Sequence, residues 1–204
     1  MSEWYKTLDN DQWLKPDNTG KDEAITIYQT LGLISNMKVL DIPCGAGRIA
    51  IHLARIGLKM TCIDLRQAFV EKARNRFLHE GLNGDFFCMD MRKINFLDVF
   101  DCIYNWQGSF GYFNDKENFD FLRKLSLALK LKGRIIIDQP HRDYVINNLL
   151  GTYSVGNKII KTEFNFKRNI RINKIYIKGR KKENISELRL YSKKEMKNMF
   201  LKCG

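Results

Sequence analysis

The sequence predicts an α/β fold. A Rossmann-like, doubly wound and mostly parallel sheet is expected, with a small antiparallel β insert after the fifth strand. Three observations predict it. Short apolar runs alternate with amphipathic helical stretches through the first two-thirds of the 204 residues, the pattern of right-handed crossovers in a parallel sheet. A glycine-rich turn, Gly45-Ala46-Gly47, joins the first such run to a helix. After Pro140 the pattern changes to closely spaced β-branched and aromatic runs, which read as antiparallel strands. The expected division is 1–140 for the Rossmann-like domain with an N-terminal helical cover, 141–191 for the insert, and 192–204 for a helix returning to the first domain.

The elements follow in order. "TGKDEAITIYQTLGL" (19–33) reads as a helix ahead of the first strand, "MKVLDI" (37–42). Residues 46–57 are helical, "KMTCID" (59–64) is the second strand, and 67–80 is the next helix. "GDFFCMD" (84–90) and "VFDCIYNW" (99–106) are the third and fourth strands. A helix over 114–131 ends at Lys132-Gly133, before the fifth strand, "RIIIDQ" (134–139). A short helix near 142–150 precedes three antiparallel runs: "NKIIKTEFNF", "IRINKIYIKG" and "ENISELRLY". "SKKEMKNMFLKC" (192–203) is a final helix, with Ser192 as N-cap and Glu195 completing a capping box.

Composition narrows the class. Hydrophobic residues make up 44% of the chain, enough for a globular core. No apolar run reaches membrane-spanning length, and the N-terminus lacks a signal peptide's apolar segment, so a cytoplasmic protein is expected. Five cysteines fit neither a zinc pattern nor a disulfide framework. The net charge of +12 is local. Residues 157–182 hold ten Lys or Arg against one acid, Glu163, a net +9 that leaves +3 for the rest.

The glycine turn fits the G-x-G-x-x-G/A dinucleotide fingerprint over residues 45–50. Asp41 lies four residues before Gly45. Its carboxylate would repel a pyrophosphate, whereas S-adenosylmethionine carries an ammonium and a sulfonium that a carboxylate favours. Asp64 ends the second strand, where it accepts ribose hydroxyls in either ligand class, and Leu65 offers an apolar face to an adenine. Asp90, with the Met91 N–H, ends the third strand; Asn105 and Trp106 end the fourth. Open α/β sheets bind ligands at these carboxyl ends. Cys44 reads as a compact loop residue, not a nucleophile.

These segments resemble the class I S-adenosylmethionine-dependent methyltransferases, closest to the small-molecule branch that includes amino-sugar N-methyltransferases. "VLDIPCGAGRIAIHLA" is similar to the first motif, with Pro43 in place of its first glycine. "CIDLRQAFVEKAR" is similar to the ribose motif, "GDFFCMDMRKI" to the adenine motif, and "FDCIYNWQGSFGYF" and "LALKLKGRIIID" to the fourth- and fifth-strand motifs. The resemblance implies contacts to S-adenosyl-L-methionine from Asp41, Gly45, Gly47, Asp64, Leu65, Asp90, Met91 and Asn105, and no metal. It implies an N-terminal segment closing over the cofactor, to which Trp4, Tyr5 and Trp13 belong; plain surface packing is the alternative. It implies methyl transfer to N or O of a small-molecule acceptor, with His141 and Tyr112 as catalytic candidates. Two other readings stay open: an RNA-directed enzyme using the basic 157–182 segment, and a cofactor-binding protein without turnover. The family's sheet has seven strands. Strands six and seven would follow Gly204, so an exposed sheet edge is expected, or a homodimer formed through that edge or the β insert.

Overall fold

The computed structural model describes residues 4–6, 19–179 and 183–204. Its contacts divide them into two compact units. One holds residues 19–109 and 120–138; the other holds 4–6, 110–119, 139–179 and 183–204.

The first unit is built on five parallel strands: β1 (Lys38–Asp41), β2 (Lys59–Asp64), β3 (Gly84–Cys88), β4 (Phe100–Asn105) and β5 (Leu129–Ile137). Their order is β3-β2-β1-β4-β5. The central strands β1, β2 and β4 are buried nearly end to end, as their unbroken apolar runs require. Helix α1 (Gly20–Leu31) packs on α2 (Ala50–Arg55) and β5, and α3 (Gln67–His79) packs on β2 and β3. Ile27, Leu33, Val39, Leu53, Met60, Phe77 and Tyr104 belong to one core cluster.

Two boundaries differ from expectation. Helix α2 begins at Ala50 instead of residue 46, because Gly45 and Gly47 both take positive φ and hold the turn out of helical geometry. Helix α4 (Asp115–Ala128) ends three residues early, and β5 starts at Leu129. Lys132-Gly133 is an irregularity inside that strand, with Lys132 at φ 65° and the pairing stepping from Phe100↔Leu129 to Cys102↔Arg134.

The second unit contains a four-stranded antiparallel sheet, β6 (Gly151–Val155), β7 (Lys158–Asn165), β8 (Ile170–Ile177) and β9 (Asn184–Arg189), in that order. Three of these runs were expected. The fourth, β6, is joined to β7 through Gly156-Asn157, a hairpin pair with Gly156 at φ 58°. Helix α5 (Arg142–Asn148) precedes the sheet, and α6 (Lys193–Cys203) follows it with the expected capping box: Glu195 N donates to Ser192 Oγ at 3.2 Å and Ser192 N to Glu195 Oε2 at 2.7 Å.

The basic run does not form one charged stripe. Lys161 and Lys174 sit on one face of the sheet and hold Glu163 at 2.7 and 3.1 Å; Lys158 and Arg171 sit on the other. Arg180, Lys181 and Lys182 lie outside the described residues, as does Trp13. No helix among the described residues is long and apolar enough to cross a membrane, and no His/Cys/Asp/Glu group among them is arranged for a metal ion.

Candidate cofactor site

Parallel register brings the expected acids to one end of the first unit's sheet. Asp41 pairs with Cys62 on one side and Tyr104 on the other, so β2 and β4 each run on past it to Asp64 and Asn105. Asp90 follows β3 and caps a single 3-10 turn, Met91–Lys93. All eight residues expected at the cofactor therefore lie in this unit, on the loops and strand ends of four adjacent strands.

Asp41 is the most unusual of them. It is 2% exposed, and among the described residues no ion pair satisfies its carboxylate, although the Tyr104 hydroxyl stands close to it. Burial pushes its pKa well above the usual carboxylate range; Tyr104 draws it down, Asp64 pushes it up and Arg48 draws it down. The Tyr104 hydroxyl is itself buried without a hydrogen bond of ordinary geometry. Asn105, fully buried, donates Nδ2 to Ile42 O at 2.6 Å and leaves Oδ1 without a partner. Unmatched buried acceptors are costly. A ligand bringing an ammonium would relieve that cost.

Asp64 organises the loop. Its Oδ2 accepts from Gly45 N and its Oδ1 from Arg66 N, both at 2.9 Å. Burial raises its pKa and these backbone donors oppose the rise. Each oxygen keeps a lone pair for a hydroxyl donor. A Cβ placed on Gly45 would meet nothing within 4 Å, so the loop presents open space there. Gly47 is different: a Cβ would approach Ala73 Cβ at 2.9 Å, and its glycine serves the packing of α3. Leu65 is half-buried and Met91 buried. Asp90 is engaged by Arg92, accepting from its backbone N at 2.9 Å and pairing with Nη2 at 2.7 Å.

Cys44 donates to Gly45 O, and its thiol pKa is pushed well up by Cys62 and by burial. A raised thiol is a poor nucleophile, which agrees with the compact-loop reading.

The structure adds residues that the sequence reading did not single out. Glu23 on α1 pairs with Arg48 of the glycine loop and accepts from Gln107 Nε2. Gln107 N in turn donates to Asp138 Oδ2 at 2.9 Å. Asp138 follows β5, so the strand-end rule applied once more would have found it. Glu23 had no local signal, because its partners are 25 and 84 residues away.

His141 and Tyr112 are in the second unit. His141 is exposed and caps α5, its Nδ1 accepting from Tyr144 N at 3.4 Å. Tyr112 is buried, stacked on Tyr5 with centroids 5.7 Å apart and edge-on to Trp4 at 4.9 Å. Trp4 and Tyr5 are thus buried aromatics of this unit, not surface decoration.

The sheet order, the glycine turn and the acids at the strand ends give the first unit the features expected of a sheet that takes a cationic nucleoside at its carboxyl end. Residues 39–133 match the family described as "Methyltransferase domain". That part of the chain belongs to the class I S-adenosylmethionine-dependent methyltransferases, whose cofactor is S-adenosyl-L-methionine. Among curated proteins, the chain is 24% identical over 147 residues to the ubiquinone biosynthesis O-methyltransferase of Rickettsia canadensis, covering 70% of this chain and 60% of that protein. It is 31% identical over 105 residues to the N-terminal Xaa-Pro-Lys N-methyltransferase 1 of Xenopus tropicalis, covering 50% and 46%. The chain thus spans roughly half the length of these relatives. A solved S-adenosylmethionine-dependent methyltransferase from Clostridium acetobutylicum superposes with TM-score 0.73 at 19% identity, over 94% of this chain and 82% of that one. At that identity the likeness is one of fold.

Proposed function

We propose that this chain is a methyltransferase that transfers the methyl group of S-adenosyl-L-methionine to N or O of a small-molecule acceptor. The observation that carries the reading is Asp41, a buried carboxylate without an ion pair, beside a glycine loop that leaves room for a ligand. A sulfonium cofactor supplies an electrophilic methyl group when bound. Asp41 and Asn105 Oδ1 would hold its ammonium, and Asp64, oriented by Gly45 N and Arg66 N, its ribose hydroxyls. Leu65 and Met91 would flank the adenine, with Asp90 accepting from the adenine amino group. The chain's task is to align acceptor, methyl and sulfur and to exclude water. His141 and Tyr112 stay as candidates for a general base, which a hydroxyl acceptor needs and a neutral amine does not.

A small molecule is favoured by the amino pentose methyltransferase CalS10 of Micromonospora echinaspora, whose structure with bound cofactor superposes over 93% of this chain and 84% of that one with TM-score 0.71 at 15% identity. Five free cysteines agree with a cytoplasmic setting. Association of two copies, through the antiparallel sheet or the β5 side of the five-stranded sheet, belongs to the same proposal and is tested by light scattering. Calorimetry is expected to show binding of S-adenosylmethionine and S-adenosylhomocysteine, lost in Asp64→Ala. No binding by the unaltered protein would refute the reading. Labelled cofactor incubated with metabolite pools then reports a methylated product, and its absence would refute turnover while leaving binding intact.

A further inference from the structure

The antiparallel sheet carries an arginine that nothing in the fold explains. Arg171 lies near the start of β8, level with Phe164 of β7 and Leu188 of β9. Its Nε is buried without a hydrogen-bond partner, and among the described residues its guanidinium makes no ion pair or hydrogen bond at all. The sheet's own acids cannot serve it. Glu163 and Glu187 both stand level with Ile172, one residue along, and so project from the opposite face. Glu163 is already held there by Lys161 and Lys174.

The face that carries Arg171 buries polar side chains together with apolar Leu188. Asn173 follows on the same face, level with Thr162 and Ser186, and the next row brings Asn184. Thr162, Asn184 and Ser186 are all buried, while Ile159, Tyr176 and Ile185 are exposed on the opposite face. Burial pulls the arginine's pKa down from its ordinary value, and the titratable groups that oppose this are the hydroxyls of Tyr153 and Tyr112.

A second arginine of the same unit shows what a structural role looks like. Arg189 is buried and holds Asp115 at 2.9 Å and Glu195 at 2.7 Å, with its guanidinium 4.2 Å from the Tyr191 ring centroid. Arg171 has no such set. An unpaired buried guanidinium is an expensive feature to retain, and its fork of donors matches a carboxylate in two parallel hydrogen bonds.

We infer that Arg171 is the anchor of a binding site for a small molecule bearing a carboxylate, with Tyr153 on the same face of the sheet. One fixed positive charge among neutral hydroxyls balances one carboxylate. A phosphate dianion would be left half compensated. The inference concerns binding and stands whether or not methyl transfer occurs.

The test uses the full chain, labelled with nitrogen-15. The Nε–H resonance of Arg171, assigned by its loss in Arg171→Lys, is followed through titrations with sodium acetate, sodium phosphate and sodium chloride at constant ionic strength. Acetate is expected to move it saturably, with an affinity at least tenfold above that of chloride. Movement that does not saturate, or that chloride reproduces, overturns the site. Phosphate binding tighter than acetate overturns the carboxylate assignment. Tyr153→Phe keeps the guanidinium and is expected to weaken acetate several-fold; unchanged affinity there removes Tyr153 from the site. The resonance is read on the unaltered protein, so the result does not depend on a variant that fails to fold.

Discussion

Replacing Asp41 by Asn separates two quantities that usually move together. Asp41 is buried, and its pKa is driven well above the usual range by desolvation. A carboxyl whose folded pKa is raised costs nothing below its unfolded pKa, near 3.8. The cost appears as pH rises through the interval between the two values and is complete above the folded pKa. Each unit of upward shift is worth about 1.4 kcal/mol. In the cofactor-free protein at pH 7.5, Asp41→Asn is therefore expected to stabilise. For a chain of this length that is a rise in Tm of roughly 2–4 °C per kcal/mol. Cofactor affinity moves the other way. Losing a hydrogen bond from a charged group costs about 1.5–3 kcal/mol, or roughly 10- to 150-fold in Kd. Thermal melts with and without S-adenosylhomocysteine, from pH 5 to 8, with calorimetry for Kd, measure both. The stability gap should shrink toward pH 4. An Asp41→Asn protein that is no more stable than the original, or that binds the cofactor as tightly, refutes the assignment of an unpaired carboxylate awaiting a cation.

The two loop glycines should respond differently to Ala. At Gly47, φ is 71° and the new Cβ meets Ala73 Cβ at 2.9 Å, so a loss of about 2–3 kcal/mol of stability is expected in denaturant melts. At Gly45, φ is 53° with open space around the Cβ, so about 1–2 kcal/mol is lost in stability while cofactor affinity falls at least tenfold, from a side chain standing where the ligand goes. Iodoacetamide at pH 8, followed by mass spectrometry, should label exposed Cys88 well before buried Cys44 and Cys62, whose thiols are raised; early labelling of Cys44 would restore it as a nucleophile. Glu195, held at about 2 against an ordinary 4.5, contributes fully above about pH 4.5 and loses its contribution as pH falls toward 2. Allowing for its partial exposure, Glu195→Gln should cost about 1–2 kcal/mol at pH 7 and little at pH 3 in urea melts.

The parallel sheet was legible because its signals are local and repeated. Each strand is a short run rich in apolar residues, and an acid or amide stands at its end or within two residues after it. Boundaries failed where backbone geometry overrode the apolar pattern. Residues 46–49 look helical in composition, but the positive φ of the two glycines postpones α2 to Ala50. Leu129 and Leu131 continue the apolar periodicity of α4, yet both belong to β5, whose register absorbs Lys132-Gly133. Strand β6 was hidden for the opposite reason. Its five residues are all exposed, so it carries no alternation of buried and solvent-facing positions; only the Gly156-Asn157 hairpin marks it.

Charge was the least legible property, and the most informative once partners are known. In sequence, Arg171 is one of ten cations in a run that suggests a polyanion. Fold the run into strands and the cations alternate between faces, which turns a charge density into separate questions about partners. Lys161 and Lys174 answer theirs with Glu163. Arg189 answers with Asp115 and Glu195, from positions 74 residues upstream and 6 downstream. Asp101 answers with Lys130. Against that background Asp41, buried without an ion pair, and Arg171, whose buried Nε has no partner, stand out, one in each unit. Burying a charge is tolerated when it is paired. A fold that pairs its other buried arginine so fully has no structural use for these exceptions, and a ligand of opposite charge is the simplest thing that completes them. The carboxylate calls for a cation, as the sulfonium cofactor provides; the guanidinium calls for an anion. Two unmatched charges of opposite sign thus ask for ligand groups of opposite sign.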